Sequence, residues 1–66
     1  MKAYICTKQD WDYEIIDVFL VLEHEGLKEK RDIRGFDDFE WEEANKFAEL
    51  LAETLSIEFV GDRTDT

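Results

Sequence analysis

One amphipathic segment in the second half of this chain limits what it can fold into. After Gly35, apolar residues recur at spacings of three and four, which predicts a helix over about residues 38–55. A single helix can cover only one face of a small sheet, so the other face is left without a helical layer. The core side of the helix is expected to carry Trp41, Ala44, Phe47, Ala48, Leu51 and Leu55.

The start of this helix is predicted by three signals in succession. Asp37 is a favourable N-cap, and Glu40 three residues later can complete a capping box. Phe36 can pack on Trp41 as a hydrophobic staple. We therefore expect the helix to begin immediately after Asp37.

The other ordered segments predict strands, because their apolar residues alternate and are often β-branched or aromatic. Glu25 and Gly26 suit a hairpin turn, and the charged segment after them suits an edge strand. The order β-β-β-α-β predicts an α+β domain of two layers, with a mostly antiparallel sheet and the helix packed on one face. The expected strands are residues 3–7, 13–23, 27–34 and 57–60.

Length and composition predict one small domain. Sixty-six residues can hold one core, so we assign residues 1–61 to a single domain and residues 62–66 to a flexible C-terminal tail. Cys6 is the only cysteine, which excludes an internal disulfide and fits a reducing compartment. No apolar run is long enough for a signal peptide or a membrane span. A cytoplasmic protein is expected.

The net charge is strongly and unevenly negative. Eighteen acidic residues against eight basic ones give −10, and residues 36–66 alone contribute −8. Such a chain repels phosphate backbones and attracts basic surfaces, so we expect a basic protein partner and no direct nucleic-acid binding. The carboxylates around the helix exceed what capping requires. They predict a partner-binding acidic face of Asp37, Asp38, Glu40, Glu42, Glu43, Glu49 and Glu53.

Two further surfaces are predicted from the strands. The second strand is apolar on both sides, and Ile15, Phe19 and Val21 fall on the side that the helix does not cover. An exposed apolar patch is unusual on a monomer, so we expect this face to bind a partner or a second copy in a homo-oligomer. The third strand carries a basic group that could bind an anion. Lys28, Lys30 and Arg34 share strand parity there, with Arg31 on the other side.

Catalytic and metal-binding patterns are weak in this sequence. Asp10 to Glu14 alternates carboxylates as some calcium loops do, but it lacks the turn glycine and the bidentate glutamate. One histidine, His24, and one cysteine far from it cannot make a zinc site or define a nucleophile with its base. We expect no metal, no cofactor and no enzymatic activity.

The leading hypothesis is a small acidic inhibitor that blocks a basic, nucleic-acid-binding surface of another protein. Viral and mobile-element counter-defence proteins of this size and charge provide an analogy, with carboxylates standing where phosphates would lie. One alternative is a homo-oligomer that binds a small anionic nucleotide through its basic residues. Another is a general protein-interaction subunit that uses the apolar face.

Overall fold

The computed structural model describes residues 2–62, which form one four-stranded sheet and one helix. Strand β1 pairs with β2 and β2 with β3 in antiparallel fashion, whereas β1 and β4 are parallel, which gives the order β3-β2-β1-β4. This confirms the predicted α+β fold with a helix packed on one face. The elements are β1 (Lys2–Asp10), β2 (Ile15–His24), β3 (Leu27–Asp37), α1 (Trp41–Leu55) and β4 (Glu58–Asp62).

Two boundaries of the strands depend on local chemistry. The turn between β2 and β3 places Glu25 and Gly26 at φ 50° and 81°, the left-handed geometry that a tight hairpin needs. At the C-terminus, β4 includes Asp62, which the sequence assigned to the tail. Residues 63–66 of that predicted tail lie outside the described residues.

The helix begins later than predicted. Asp37 is not its N-cap, because Asp37 still pairs with Ile15 at the end of β3. Glu40 takes the N-cap position, and its Oε1 accepts a hydrogen bond from the Asp37 N–H at 3.1 Å. The carboxylate half of the expected capping box therefore forms, but it closes the turn between β3 and α1. At the other end, Ser56 adopts φ 57° and ends the helix where the sequence predicted.

Alanines bring α1 close to the sheet. Ala44, Ala48 and Ala52 are buried against strand residues that include Ile5, Ile16 and Val18. A small side chain lets the helix backbone approach the strands without leaving a void. Leu55, expected in this core, is 48% exposed, and Ala52 occupies the core position in its place.

A second apolar cluster lies on the sheet face away from α1. It consists of Tyr4, Cys6, Phe19 and Val21, with Val60 packed at its edge. The residues are on the predicted side, but the exposed apolar patch expected there is largely closed. Phe19 is 6% exposed and Val21 8%. Lysine stems account for part of this cover, because the Lys30 Nζ lies 4.5 Å above the centre of the Phe19 ring.

Candidate functional site

The outer side of α1 and the turn that precedes it form an acidic surface. Within it, Glu42, Glu49 and Glu53 follow one row of the helix, where spacings of four and seven residues share a face, and all three are exposed. Lys46 lies in the same row and is the one basic residue of α1. Glu40 is half-buried because its carboxylate is engaged in the turn. The complete acidic surface is Asp37, Asp38, Glu40, Glu42, Glu43, Glu49 and Glu53.

Exposed aromatic residues lie at the end of the molecule where α1 begins. The loop between β1 and β2 meets the turn between β3 and α1 there, because the Asp38 N–H donates to the Glu14 carbonyl at 3.1 Å. Trp11 and Tyr13 in the loop are 77% and 76% exposed, and Phe39 in the turn is 79% exposed. We call these three residues the aromatic end. They extend the acidic surface with large apolar side chains, the type that most often anchors protein interfaces.

The loop that carries Trp11 and Tyr13 is held by its own side chains. The Asp10 carboxylate accepts hydrogen bonds from the N–H groups of Asp12 and Tyr13 at 3.1 and 3.3 Å. Glu14 then adopts φ 54° before β2 begins. The sequence pattern of this segment was compared only with a calcium loop, and its aromatic residues were not predicted as a candidate binding feature. The available signal was the presence of two aromatic residues inside a short, otherwise polar turn.

The sheet face away from α1 differs in charge from the rest of the molecule. The strand register places five cross-strand rows on this side, and four of them together hold four lysines and four carboxylates. The fifth row, Asp37-Ile15-Asp10, lies beside the loop between β1 and β2 and adds two carboxylates. Outside the first four rows, the side chains described include twelve carboxylates, with Asp10 and Asp37 of the fifth row among them, and three basic groups. We call the first four rows the balanced face. Running from β3 toward β4, they are Lys28-Glu23-Lys2, then Lys30-Val21-Tyr4-Glu58, then Asp32-Phe19-Cys6, and finally Gly35-Asp17-Lys8.

The four basic residues proposed as an anion site lie on two sides of the sheet. The register of β3 shifts between the partners of Val18 and Phe19, so Ile33 is an extra residue in this strand. Because of this bulge, the residues of β3 after Ile33 point to the opposite side of the sheet from the one that simple alternation predicts. Arg34 faces α1, with its guanidinium 4.5 Å from the Phe36 ring centre, and the predicted parity of Arg34 with Lys28 and Lys30 is wrong.

Arg31 also lies on the helix side, where its Nη2 pairs with the Glu29 carboxylate at 2.7 Å. Of the four residues proposed as an anion site, Lys28 and Lys30 lie on the balanced face. They lie above a groove of about 200 Å³ whose floor includes Tyr4 and Phe19. Sites for small ligands typically enclose about 300–1,000 Å³. One chain therefore offers a nucleotide a small groove with two lysines rather than the four basic groups expected.

The environment of Asp17, on the balanced face, changes the acidity of its carboxyl group. Burial raises the pKa of the Asp17 carboxyl above its usual value. The carboxylates of Asp32 and Asp10 act in the same direction, and the ammonium groups of Lys30 and Lys8 oppose them. The carboxyl is therefore more easily protonated in the folded protein than in the unfolded chain.

Neither a cluster of metal-ligating side chains nor a membrane-spanning helix is present among the described residues. Across residues 2–62, no three His, Cys, Asp or Glu side chains are grouped closely enough to hold a metal ion. In the same part of the chain, no helix is sufficiently long and apolar to cross a bilayer. Comparison of the sequence with protein-family models and curated proteins gives no match, and comparison with solved structures gives none either.

Proposed function

We propose that this protein is a small non-enzymatic binding protein whose acidic surface occupies a basic, nucleic-acid-binding surface of a partner protein. The observation that supports this most directly is the separation of charge. Outside the balanced face, twelve carboxylates stand against three basic groups among the described side chains. A field of one sign over most of the molecule attracts a surface of the opposite sign and repels nucleic acid.

The arrangement of the carboxylates suits such a role better than a purely solubilising one. Within the row of α1, Glu49 and Glu53 are like charges four residues apart, which costs the isolated helix about 0.2–0.5 kcal/mol, while Lys46 separates Glu42 from Glu49. From Glu42 to Glu53 the helix rises about 16 Å, so the row presents three carboxylates and one ammonium group, a net negative charge, along a line. A partner that binds a phosphate backbone presents positive charge along a line as well.

The aromatic end provides the part of the contact that charge alone does not. Trp11, Tyr13 and Phe39 are each more than three-quarters exposed beside Asp12 and Asp38. Arginine, common on nucleic-acid-binding surfaces, can stack on an aromatic ring while its guanidinium pairs with a carboxylate. We propose that the aromatic end anchors the complex and that the acidic surface orients it. The lone cysteine, Cys6, fits a partner in the reducing cytoplasm.

The proposal is tested with a matched pair of charge reversals. Glu49→Lys with Glu53→Lys changes the acidic surface, whereas Glu25→Lys with Glu29→Lys makes the same charge change at exposed residues outside both the acidic surface and the balanced face. Basic proteins captured from a host lysate are purified, and their affinity for each variant and for nucleic acid is measured between about 50 and 500 mM salt. We expect the first variant to lose at least about tenfold in affinity and the control less than about threefold.

Two further results decide the mechanism. Wild-type protein should lower the partner's affinity for nucleic acid, and its own affinity should fall steeply with salt. Trp11→Ala should weaken the complex at all salt concentrations, since an aromatic anchor is not screened. An affinity indifferent to salt and equal for both charge variants would refute the proposal.

A further inference from the structure

The balanced face has a charge pattern that is antisymmetric about its midline. In the first row Glu23 on β2 lies beside Lys2 on β1, and in the last row Asp17 on β2 lies beside Lys8 on β1. The second row has opposite charges at its two ends, Lys30 on β3 and Glu58 on β4. In these three pairs, acidic and basic groups exchange places across the line between β1 and β2, whereas Lys28 and Asp32 on β3 have no charged counterpart in the described pairing of β4.

From this pattern we infer that the balanced face binds a second copy of the chain, through a two-fold axis parallel to the strands and midway between β1 and β2. Such an axis sets β1 against the partner's β2 and β3 against the partner's β4, because an isologous interface pairs each surface with itself. Lys30 then faces the partner's Glu58, and Lys2 faces the partner's Glu23. Two sheets that pack face to face in this way lie about 10 Å apart.

The apolar residues of the face fall at the centre of this arrangement. Val21 lies opposite the partner's Tyr4, and Phe19 opposite the partner's Cys6. The groove of about 200 Å³ above Tyr4 and Phe19 gives space for side chains of the partner. Lys30, which covers Phe19 in a single chain, has to swing outward to reach the partner's Glu58.

Other arrangements of two copies are disfavoured by charge. A two-fold axis perpendicular to the strands would set Glu23 against the partner's Asp17 and Lys2 against the partner's Lys8, and like charges in contact repel. Outside the balanced face, the described surface is acidic, so two copies would repel there. A chain of this size also has a limited core, which association can supplement.

Pairing within one chain explains part of the pattern but not all of it. Lys2 and Glu23 are neighbours across two strands, so they can attract each other in a monomer. Lys30 and Glu58 lie on the outer strands, about 14 Å apart at a spacing of about 4.8 Å between strands. Within a single chain Lys30 pairs with Asp32 at 3.7 Å instead. The Lys30 and Glu58 positions therefore distinguish a dimer from a monomer.

The test uses Lys30→Glu and Glu58→Lys, both at exposed positions, and measures association by sedimentation equilibrium over a concentration series in low salt. Each variant alone places like charges together twice in a dimer, so we expect its dissociation constant to rise by about tenfold. A mixture of the two restores both opposite-charge contacts and should form a heterodimer about as stable as the wild-type dimer. Lys46→Glu on α1 is the matched control and should change dissociation less than about threefold.

Circular dichroism and thermal unfolding establish that each variant is folded. If Lys30→Glu fails to fold, Glu58→Lys compared with Glu58→Gln gives the same contrast, because only the charge reversal places like charges together in the dimer. Wild-type protein that stays monomeric up to about 1 mM overturns the inference. Variants that match Lys46→Glu, or a mixture no tighter than its components, overturn the proposed axis.

Discussion

The helix side and the balanced face of the same sheet are built by different means. On the helix side, Ile5, Ile16 and Val18 are fully buried beneath an alanine face of α1. On the balanced face, no second layer of the described residues covers Phe19 and Val21, and long polar side chains provide part of the cover. Burial of apolar side chains therefore has two origins in this protein. One is a packed layer and the other is a set of movable side chains, which a partner can displace.

The largest expected effect is a difference in the free energy of unfolding when a valine is shortened to alanine on each side of the sheet. Val18→Ala removes two methyl groups between the sheet and α1, and we expect the free energy of unfolding to fall by about 2 kcal/mol. Val21→Ala makes the same change on the balanced face, where water and lysine stems can fill the space, and should cost less than about 1 kcal/mol. Urea unfolding of dilute protein measures both. Equal losses would show that the balanced face is as tightly packed as the core.

A smaller effect concerns a polar group inside the better packed side. Thr7 on β1 lies beside Val18 on β2 and is fully buried on the helix side of the sheet. Its Oγ1 has no hydrogen-bond partner among the described residues. Thr7→Val replaces this hydroxyl by a methyl group and should raise stability by about 1 kcal/mol. Thr7→Ser, which keeps the hydroxyl and loses the methyl, should lower it. A melting temperature unchanged or lowered by Thr7→Val would show that the hydroxyl is satisfied in solution.

The smallest effect is a pH dependence confined to the balanced face. The raised pKa of Asp17 means that the folded protein holds this proton more tightly than the unfolded chain. Stability from this group is therefore present at low pH and is lost as the pH rises from about 4 through the raised value. Asp17→Asn should stabilise dilute protein at pH 7 by about 0.5 kcal/mol or less, because the site is partly exposed.

The advantage of Asp17→Asn should shrink on acidification toward pH 3, when the wild-type carboxyl is protonated. The same substitution at the exposed Asp12 provides the control for a general change in net charge. Thermal unfolding at several pH values measures both variants. An Asp17→Asn difference that is constant with pH, or that grows in acid, would contradict the assigned direction of the pKa change.

The sequence predicted the elements better than their local geometry. The period of β2 placed Phe19 and Val21 on the correct side, because an uninterrupted strand alternates strictly. The side of Arg34 was wrong, since the alternation contains no mark of the extra residue in β3. The start of α1 was wrong because Asp37 suits both an N-cap and a strand end, and pairing with Ile15 decides between them.

The candidate site shows the same division. The exposed carboxylates of α1 follow from helical periodicity, so their common side was predictable. The aromatic end was not, because the hydrogen bond from Asp38 to Glu14 joins two turns that are far apart in sequence. The sequence also did not predict that Lys30 covers Phe19 on the balanced face. Lysine is normally treated as a wholly polar, solvent-exposed residue, although its methylene stem can cover apolar side chains.

The bulge in β3 has a consequence for how the protein behaves at high concentration. β3 is an edge strand, and an open edge invites another chain to add a strand and begin a fibre. An extra residue at Ile33 interrupts the regular row of N–H and C=O groups, and charged residues flank it on both sides. Both features oppose growth by strand addition along this edge. Deletion of Ile33 would restore the regular spacing of the backbone N–H and C=O groups along β3, and we expect the resulting protein to aggregate more readily than the wild type.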